Sequence, residues 1–211
     1  MSQRFYDVLR EAKLGSLSTA SKKVHLLAGV DINHVDPVDG KTPLHLACIE
    51  NVLPLVQLLV TAKANVNCAS RTGCTPVYYA AEAGSTKVAA LLVESKADLS
   101  LADCLQNATP LHVAAARGHV RMCELLVQLK ADVNARDREG WTPSFWAAEG
   151  NKNLHCVRAL VEMSSNGKTN EPVDLLAVDH TGWMPKPFSS ASHVRRQMHD
   201  DLFDALHVYI C

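Results

Sequence analysis

The chain has 211 residues, 47% of them hydrophobic, and its 21 Lys+Arg against 22 Asp+Glu leave a formal net charge of −1 at pH 7. That is enough apolar material for a packed core, and a near-neutral chain without a basic block lacks the phosphate-neutralising side chains that nonspecific nucleic-acid binding requires. The opening MSQRFYDVLREAKLG lacks the apolar run of a secretory signal, and the longest apolar stretch, Val52 to Ala62, is too short to span a bilayer and contains Gln57.

In chain order, residues 1–36 come first. Phe5, Val8, Leu9 and Ala12 fall on one helix face opposite Arg4, Asp7, Arg10 and Glu11. Residues 37–69 open a helix with TPLHLAC and a second with LVQLLV, Pro54 sitting where a first helical turn tolerates it. Residues 70–103 repeat that plan with TPVYYAA. Here Tyr79 is expected to pack inward between helix pairs and Tyr78, in the slot that holds His in TPLH, to offer its hydroxyl towards the groove. Residues 104–136 carry the clearest version: Thr109 stands as N-cap, Pro110 fills the first helical position, Gly118 breaks the helix, and Met122, Leu125, Leu126 and Leu129 form the stripe of a second helix. Asn107 occupies the turn position where the other units have Gly, which a residue tolerant of left-handed backbone can do. Residues 137–178 keep GWTP and Ala147-Ala148 but add SSNGKTNEP at 164–172, a polar stretch expected to loop out. Residues 179–211 open with TGWMP, where Met184 replaces the capping Thr, and then restore an apolar stripe through Val194, Met198, Leu202, Ala205 and Leu206.

The Thr-Pro pairs at Thr42, Thr75, Thr109 and Thr142 are separated by 33, 34 and 33 residues, and TPLH occurs at 42–45 and again at 109–112. This period and motif resemble the ankyrin repeat. The resemblance implies an all-α fold, an ankyrin-repeat solenoid of stacked helix-turn-helix units with β-hairpin fingers, and one domain over 1–211. Within it, 1–36 and 179–211 would be divergent capping repeats around the four central units. Each unit leaves a Leu-rich face that its neighbour must cover, so one repeat alone should not fold.

Catalytic patterns fail on spacing. Gly-Lys-Thr occurs at 40–42 and 167–169, but Val35 and Glu162 stand where a phosphate loop needs its earlier Gly. His193, His199 and His207 do not share a helix face, and the seven cysteines include no CxxC pair, so neither a metal site nor a cofactor is expected. Cys48 and Cys123 replace Ala or Val in helices, small buried hydrophobes suited to a reducing compartment. Val208 stands where a prenylated cysteine would have to be, and the sequon Asn107-Ala-Thr109 uses a Thr needed as a cap. In the repeats the resemblance points to, the His of TPLH is structural, bonding near the capping Thr and the neighbouring finger; His45 and His112 take that role.

The expected function is therefore non-catalytic: a cytoplasmic, and also nuclear, monomer acting as adaptor, inhibitor or scaffold for a partner protein, with neither nucleic acid nor membrane as partner. The family binds partners on its finger tips and the exposed side of its first helices. Carried over by position, this selects Lys41, Arg71, Tyr78, Arg138, Glu139, Trp141, Phe145, Glu149, His180 and Trp183. Trp141 and Trp183 hold equivalent places on adjacent fingers, the residue types that most often anchor interfaces; aromatic residues there can equally pack between fingers. Leu126, Asp132, Val133 and Asn134 match the family's asparagine hydroxylation pattern, with Asn134 as the candidate residue; the alternative is that this Asn caps the finger turn, as it does in most repeats whether or not they are modified. Two rival expectations are an enzyme or small-ligand receptor with a groove site around Tyr78, Phe145 and Trp146, and a module that self-assembles through 184–188.

Overall fold

A computed structural model describes residues 31–150, 154–165 and 172–173. Eight helices lie among them, in four pairs: α1 Pro43–Ile49 with α2 Leu53–Thr61, α3 Pro76–Glu82 with α4 Thr86–Glu94, α5 Pro110–Ala116 with α6 Val120–Gln128, and α7 Pro143–Gly150 with α8 Leu154–Ser165. First helices pack on first helices in a row (α1, α3, α5, α7), second helices do the same (α2, α4, α6, α8), and each pair packs on itself.

Local chemistry starts every first helix in the same way. Thr42, Thr75 and Thr109 have extended N-cap backbone, with Pro at the first helical position where the missing N–H is not needed. Left-handed residues then recur in register. Gly40, Gly73, Asn107 and Gly140 turn the fingers, while Lys63, Lys96 and Lys130 end the second helices. Asn107 adopts φ 56°, the conformation its place in the turn requires.

Between the two rows lies one continuous core. Leu44, Leu55, Leu59, Leu92, Leu111, Met122, Leu126 and Leu160 are fully buried, each worth roughly 1.5–3 kcal/mol of transfer free energy. Alanines at 47, 80, 81, 114, 115 and 147 are 0% exposed, so the first helices approach closely, and the Leu row of each pair is roofed by the next. The core thus runs along the stack, as a repeat architecture requires.

The fingers are short hairpin turns, and no strand forms among the described residues. Each is closed across its base by a backbone bond, Asp36 N–H to Lys41 O, Ser70 to Cys74, Asp103 to Ala108 and Asp137 to Trp141, and in fingers one, two and four the turn glycine's N–H also bonds back to Asp36, Ser70 or Asp137 O. One further N–H joins each finger to the one before it: Arg71 to Asp39 O at 2.9 Å, Cys104 to Thr72 O at 2.9 Å and Arg138 to Gln106 O at 2.7 Å. The approach is so close that a Cβ built on Gly73 would lie 2.5 Å from the Cys104 amide nitrogen. Fingers one and three are one residue longer than two and four. The extra residue puts an apolar side chain in water at the tip, Val38 at 78% and Leu105 at 60% exposure.

One difference from expectation concerns α8, which continues to Ser165, two residues into the stretch expected to loop out. The apolar stripe explains it: Cys156, Leu160 and Met163 are all buried, so packing carries the helix on. Of the expected first cap, 1–36, residues 1–30 lie outside the described residues, as does the whole expected cap at 179–211.

Candidate functional site

Two buried histidines fix the geometry from which the finger side is built. The His45 Nδ1 accepts from the Thr42 N–H at 2.9 Å and lies 3.0 Å from the Thr42 hydroxyl, while its Nε2 lies 3.1 Å from Cys74 O on the next finger. A carbonyl only accepts, so Nε2 carries the proton and Nδ1 is the acceptor. His112 repeats the arrangement, Nδ1 on Thr109 and Nε2 3.0 Å from Trp141 O. Burial pushes the His45 imidazole down to about 4 and lowers that of His112 as well. Both rings are neutral crosslinks between units, the structural part that the resemblance implied.

The same slot is filled differently in the other two pairs. Tyr78 is 8% exposed, and its hydroxyl donates to Asp103 Oδ2 at 3.2 Å on the following finger. Tyr78 does hold the His slot, but the expectation that its hydroxyl faces the groove is corrected: the hydroxyl is turned into the stack, and burial raises its phenol. Tyr79 is the half-buried one, edge-on to His45 at 5.7 Å with Lys41 Nζ 5.7 Å from its ring centre. Phe145, in the slot of the fourth pair, is half-buried, and there the Thr142 hydroxyl pairs with Ser144 Oγ at 2.8 Å.

The remaining selected residues divide. Lys41 is tied to Asp39 at 2.7 Å; that hydrogen bond raises the lysine and lowers the carboxyl. Arg71 and Arg138 are exposed, yet each reaches back with one Nη2 to the preceding finger, to Pro37 O at 2.7 Å and Cys104 O at 2.9 Å. Glu139 is exposed at the tip of its finger. Glu149 lies on α7. His180 and Trp183 lie outside the described residues. Asn134 is half-buried, and its side-chain amide donates to Pro172 O at 2.8 Å, tying its loop to the next unit.

What the structure brings together is the region between fingers three and four. Leu105, Gln106, Ala116, Asp137, Arg138, Glu139, Trp141 and Trp146 line a half-open groove of about 580 Å³. Its floor is Asp137, 6% exposed. Oδ1 accepts from the Glu139 and Trp141 amides at 2.9 and 2.8 Å, and Oδ2 from the Trp146 indole N–H at 2.8 Å. Trp146 also meets His112 edge-on at 5.4 Å. Leu105 and Gln106 are tip residues of finger three, part of the surface the resemblance pointed to, and Trp146 is one of the residues around which the rival groove site was expected. An extra residue in finger three, visible in the 34-residue spacing, marks Leu105, and the Asp-to-Trp interval of nine residues marks the Asp137–Trp146 bond.

Both Asp137 oxygens are engaged by N–H donors, and no group of three or more His, Cys, Asp or Glu able to hold a metal occurs among the described residues. Nor is any described helix long and apolar enough to cross a membrane.

Comparison with known proteins agrees with this architecture. The family pattern described as Ankyrin repeats (3 copies) matches residues 14–103 and 97–172. Similar proteins include the nuclear factor NF-kappa-B p105 subunit of Gallus gallus, 39% identical over 82 residues, which is 38% of this chain and 8% of that protein. The ankyrin repeat and SAM domain-containing protein 6 of Rattus norvegicus is 35% identical over 98 residues, 45% of this chain and 11% of that protein. The B-cell lymphoma 3 protein homolog of Mus musculus is 38% identical over 76 residues, 36% and 17% of the respective lengths. The aligned region is thus less than a fifth of each relative's length.

Proposed function

The chain belongs to the ankyrin repeat family, and from that premise we propose that it is a non-catalytic binding protein that holds a partner protein along the finger and first-helix surface, as adaptor, inhibitor or scaffold. The observation that carries this is the groove between fingers three and four, where half-buried Trp141 and Trp146 and exposed Leu105 border a cleft open to solvent. Side chains of this kind at the centre of an interface are the usual hot spots. The enzyme reading invoked Tyr78 as a groove residue, and Tyr78 is spent inside the stack on Asp103. We read the protein as a monomer of the cytoplasm, and also of the nucleus; Cys48 and Cys123 serving as buried apolar filler support a reducing compartment. Asn134 belongs to the same reading as a hydroxylation site. Its amide is engaged with Pro172 O, so modification requires that contact to open. Mass spectrometry of the native protein tests it, an added oxygen at Asn134 being the expected finding.

Affinity capture from native lysate tests the main reading. A partner retained by the wild-type chain and lost by a Trp141→Ala, Trp183→Ala variant with an unchanged circular-dichroism melt is expected. Equal retention by a folded variant, or turnover of a substrate by the purified chain, would refute it.

A further inference from the structure

The groove has a charge imbalance that names the chemistry of what enters it, and the inference rests on the binding reading above. Asp137 takes its hydrogen bonds from two backbone amides and an indole, all neutral donors. Asp103, 7% exposed at the root of the preceding finger and outside the groove lining, is similarly held: Oδ1 by the Gln106 amide at 2.7 Å and the Ala108 amide at 3.4 Å, Oδ2 by the Tyr78 hydroxyl. Glu139 adds an exposed carboxylate at the rim. The ion pairs described elsewhere, His34–Asp31, Lys41–Asp39 and Arg117–Glu82, involve none of these three. Among the described residues that line the groove, the two carboxylates Asp137 and Glu139 stand against one cation, Arg138, whose Nη2 is turned back to the Cys104 carbonyl. Carboxylates thus outnumber cations, and two electron-rich indoles border the same space. An indole face attracts a cation by roughly 0.5–2 kcal/mol, and a guanidinium can stack on it while forking to a carboxylate. At the groove's outer lip, Leu105 offers an apolar contact.

We propose that this groove takes a basic segment of a partner protein, seating an Arg or Lys side chain against Trp141 and Trp146 beside Glu139, with a neighbouring apolar side chain on Leu105. An acidic segment meets the same carboxylates as repulsion, so the discrimination is electrostatic and weakens with salt.

The test uses the full chain, ¹⁵N-labelled, titrated with acetyl-LRLR-amide and with acetyl-LELE-amide while the indole N–H signals are followed. The basic peptide is expected to shift the Trp141 and Trp146 signals and to bind roughly tenfold or more tightly than the acidic one. Glu139→Lys is expected to remove most of that preference. The Glu139 carboxylate makes no hydrogen bond among the described residues, so the fold should persist, and Glu94→Lys on the exposed face of α4 serves as the charge control that leaves affinity unchanged. Equal affinity for both peptides, an unaltered preference in Glu139→Lys, or no indole shift with either peptide at about 1 mM would overturn the proposal. Those results leave the wider reading standing wherever lysate capture still depends on the two tryptophans; loss of that dependence with basic-peptide binding intact would sink the wider reading instead.

Discussion

Acidification should destabilise this protein through His45 before Asp36, Asp39 and Asp98 lose their contributions. The ring is 0% exposed, and burial holds it near 4 where a free imidazole titrates near 6.5. Protons therefore favour the unfolded chain between those values, because there the unfolded state binds more of them. The contribution is fully present above about pH 6.5 and is lost as pH falls toward 4. At pH 5 nearly every unfolded His45 and few folded ones are protonated, which amounts to about 2 kcal/mol lost relative to pH 8. His112 shifts in the same direction and adds to the loss. Asp36, Asp39 and Asp98, lowered from 3.8, lose their contributions only at lower pH, so the window from 6.5 to 5 reports the histidines. Urea unfolding followed by circular dichroism at pH 8, 6.5 and 5 measures the slope, and the His45 ring resonances give the folded-state titration directly. Phe145 already fills this slot in the fourth pair, so His45→Phe is the informative variant. It should be less stable at pH 8, having lost the links to Thr42 and Cys74, yet lose about 2 kcal/mol less than wild type on going to pH 5. Identical losses in both proteins, or a folded His45 titrating near 6.5, would refute the reasoning.

Three further outcomes can be checked by the same unfolding measurements. The Ser85 hydroxyl is buried without a hydrogen-bond partner, and the equivalent place in the first pair holds Val52, so Ser85→Val should stabilise by about 1 kcal/mol. Gly73→Ala should destabilise by about 2 kcal/mol or more, since φ is +80° and the new methyl would meet the Cys104 backbone at 2.5 Å. Tyr78→Phe should cost about 1–3 kcal/mol by stranding an Asp103 oxygen while leaving partner affinity unchanged; a loss of affinity at full fold would return Tyr78 to the surface.

The Thr-Pro period made the stack legible in the sequence because cap, first-turn proline and turn glycine are local requirements that recur wherever the unit recurs. Asn107 could be read for the same reason: its position fixes the sign of φ, and few residues other than glycine tolerate it. The orientation of Tyr78 and Tyr79 was not legible, since adjacent helical residues differ by about 100° and either ring could be apolar filler. What decides between them is the Asp103 carboxylate, 25 residues away on another finger. Arg71 and Arg138 show the same limit on reading sites from position. Their exposure follows from the finger, whereas their attachment to Pro37 and Cys104 depends on how closely two fingers approach. The groove belongs to this second kind of fact. Asp137 repeats at the root of finger four the place Ser70 holds in finger two, and only the carboxylate reaches the indole nitrogen nine residues on at 2.8 Å, where the Tyr79 hydroxyl and Ser70 Oγ stand 3.5 Å apart. Asp36 and Asp103 hold the same place in fingers one and three, so it is Trp146, standing where the other units have Leu46, Tyr79 and Val113, that makes this recurring carboxylate a floor beneath two indoles, which is how a repeat that is generic in its core becomes particular in what it can hold.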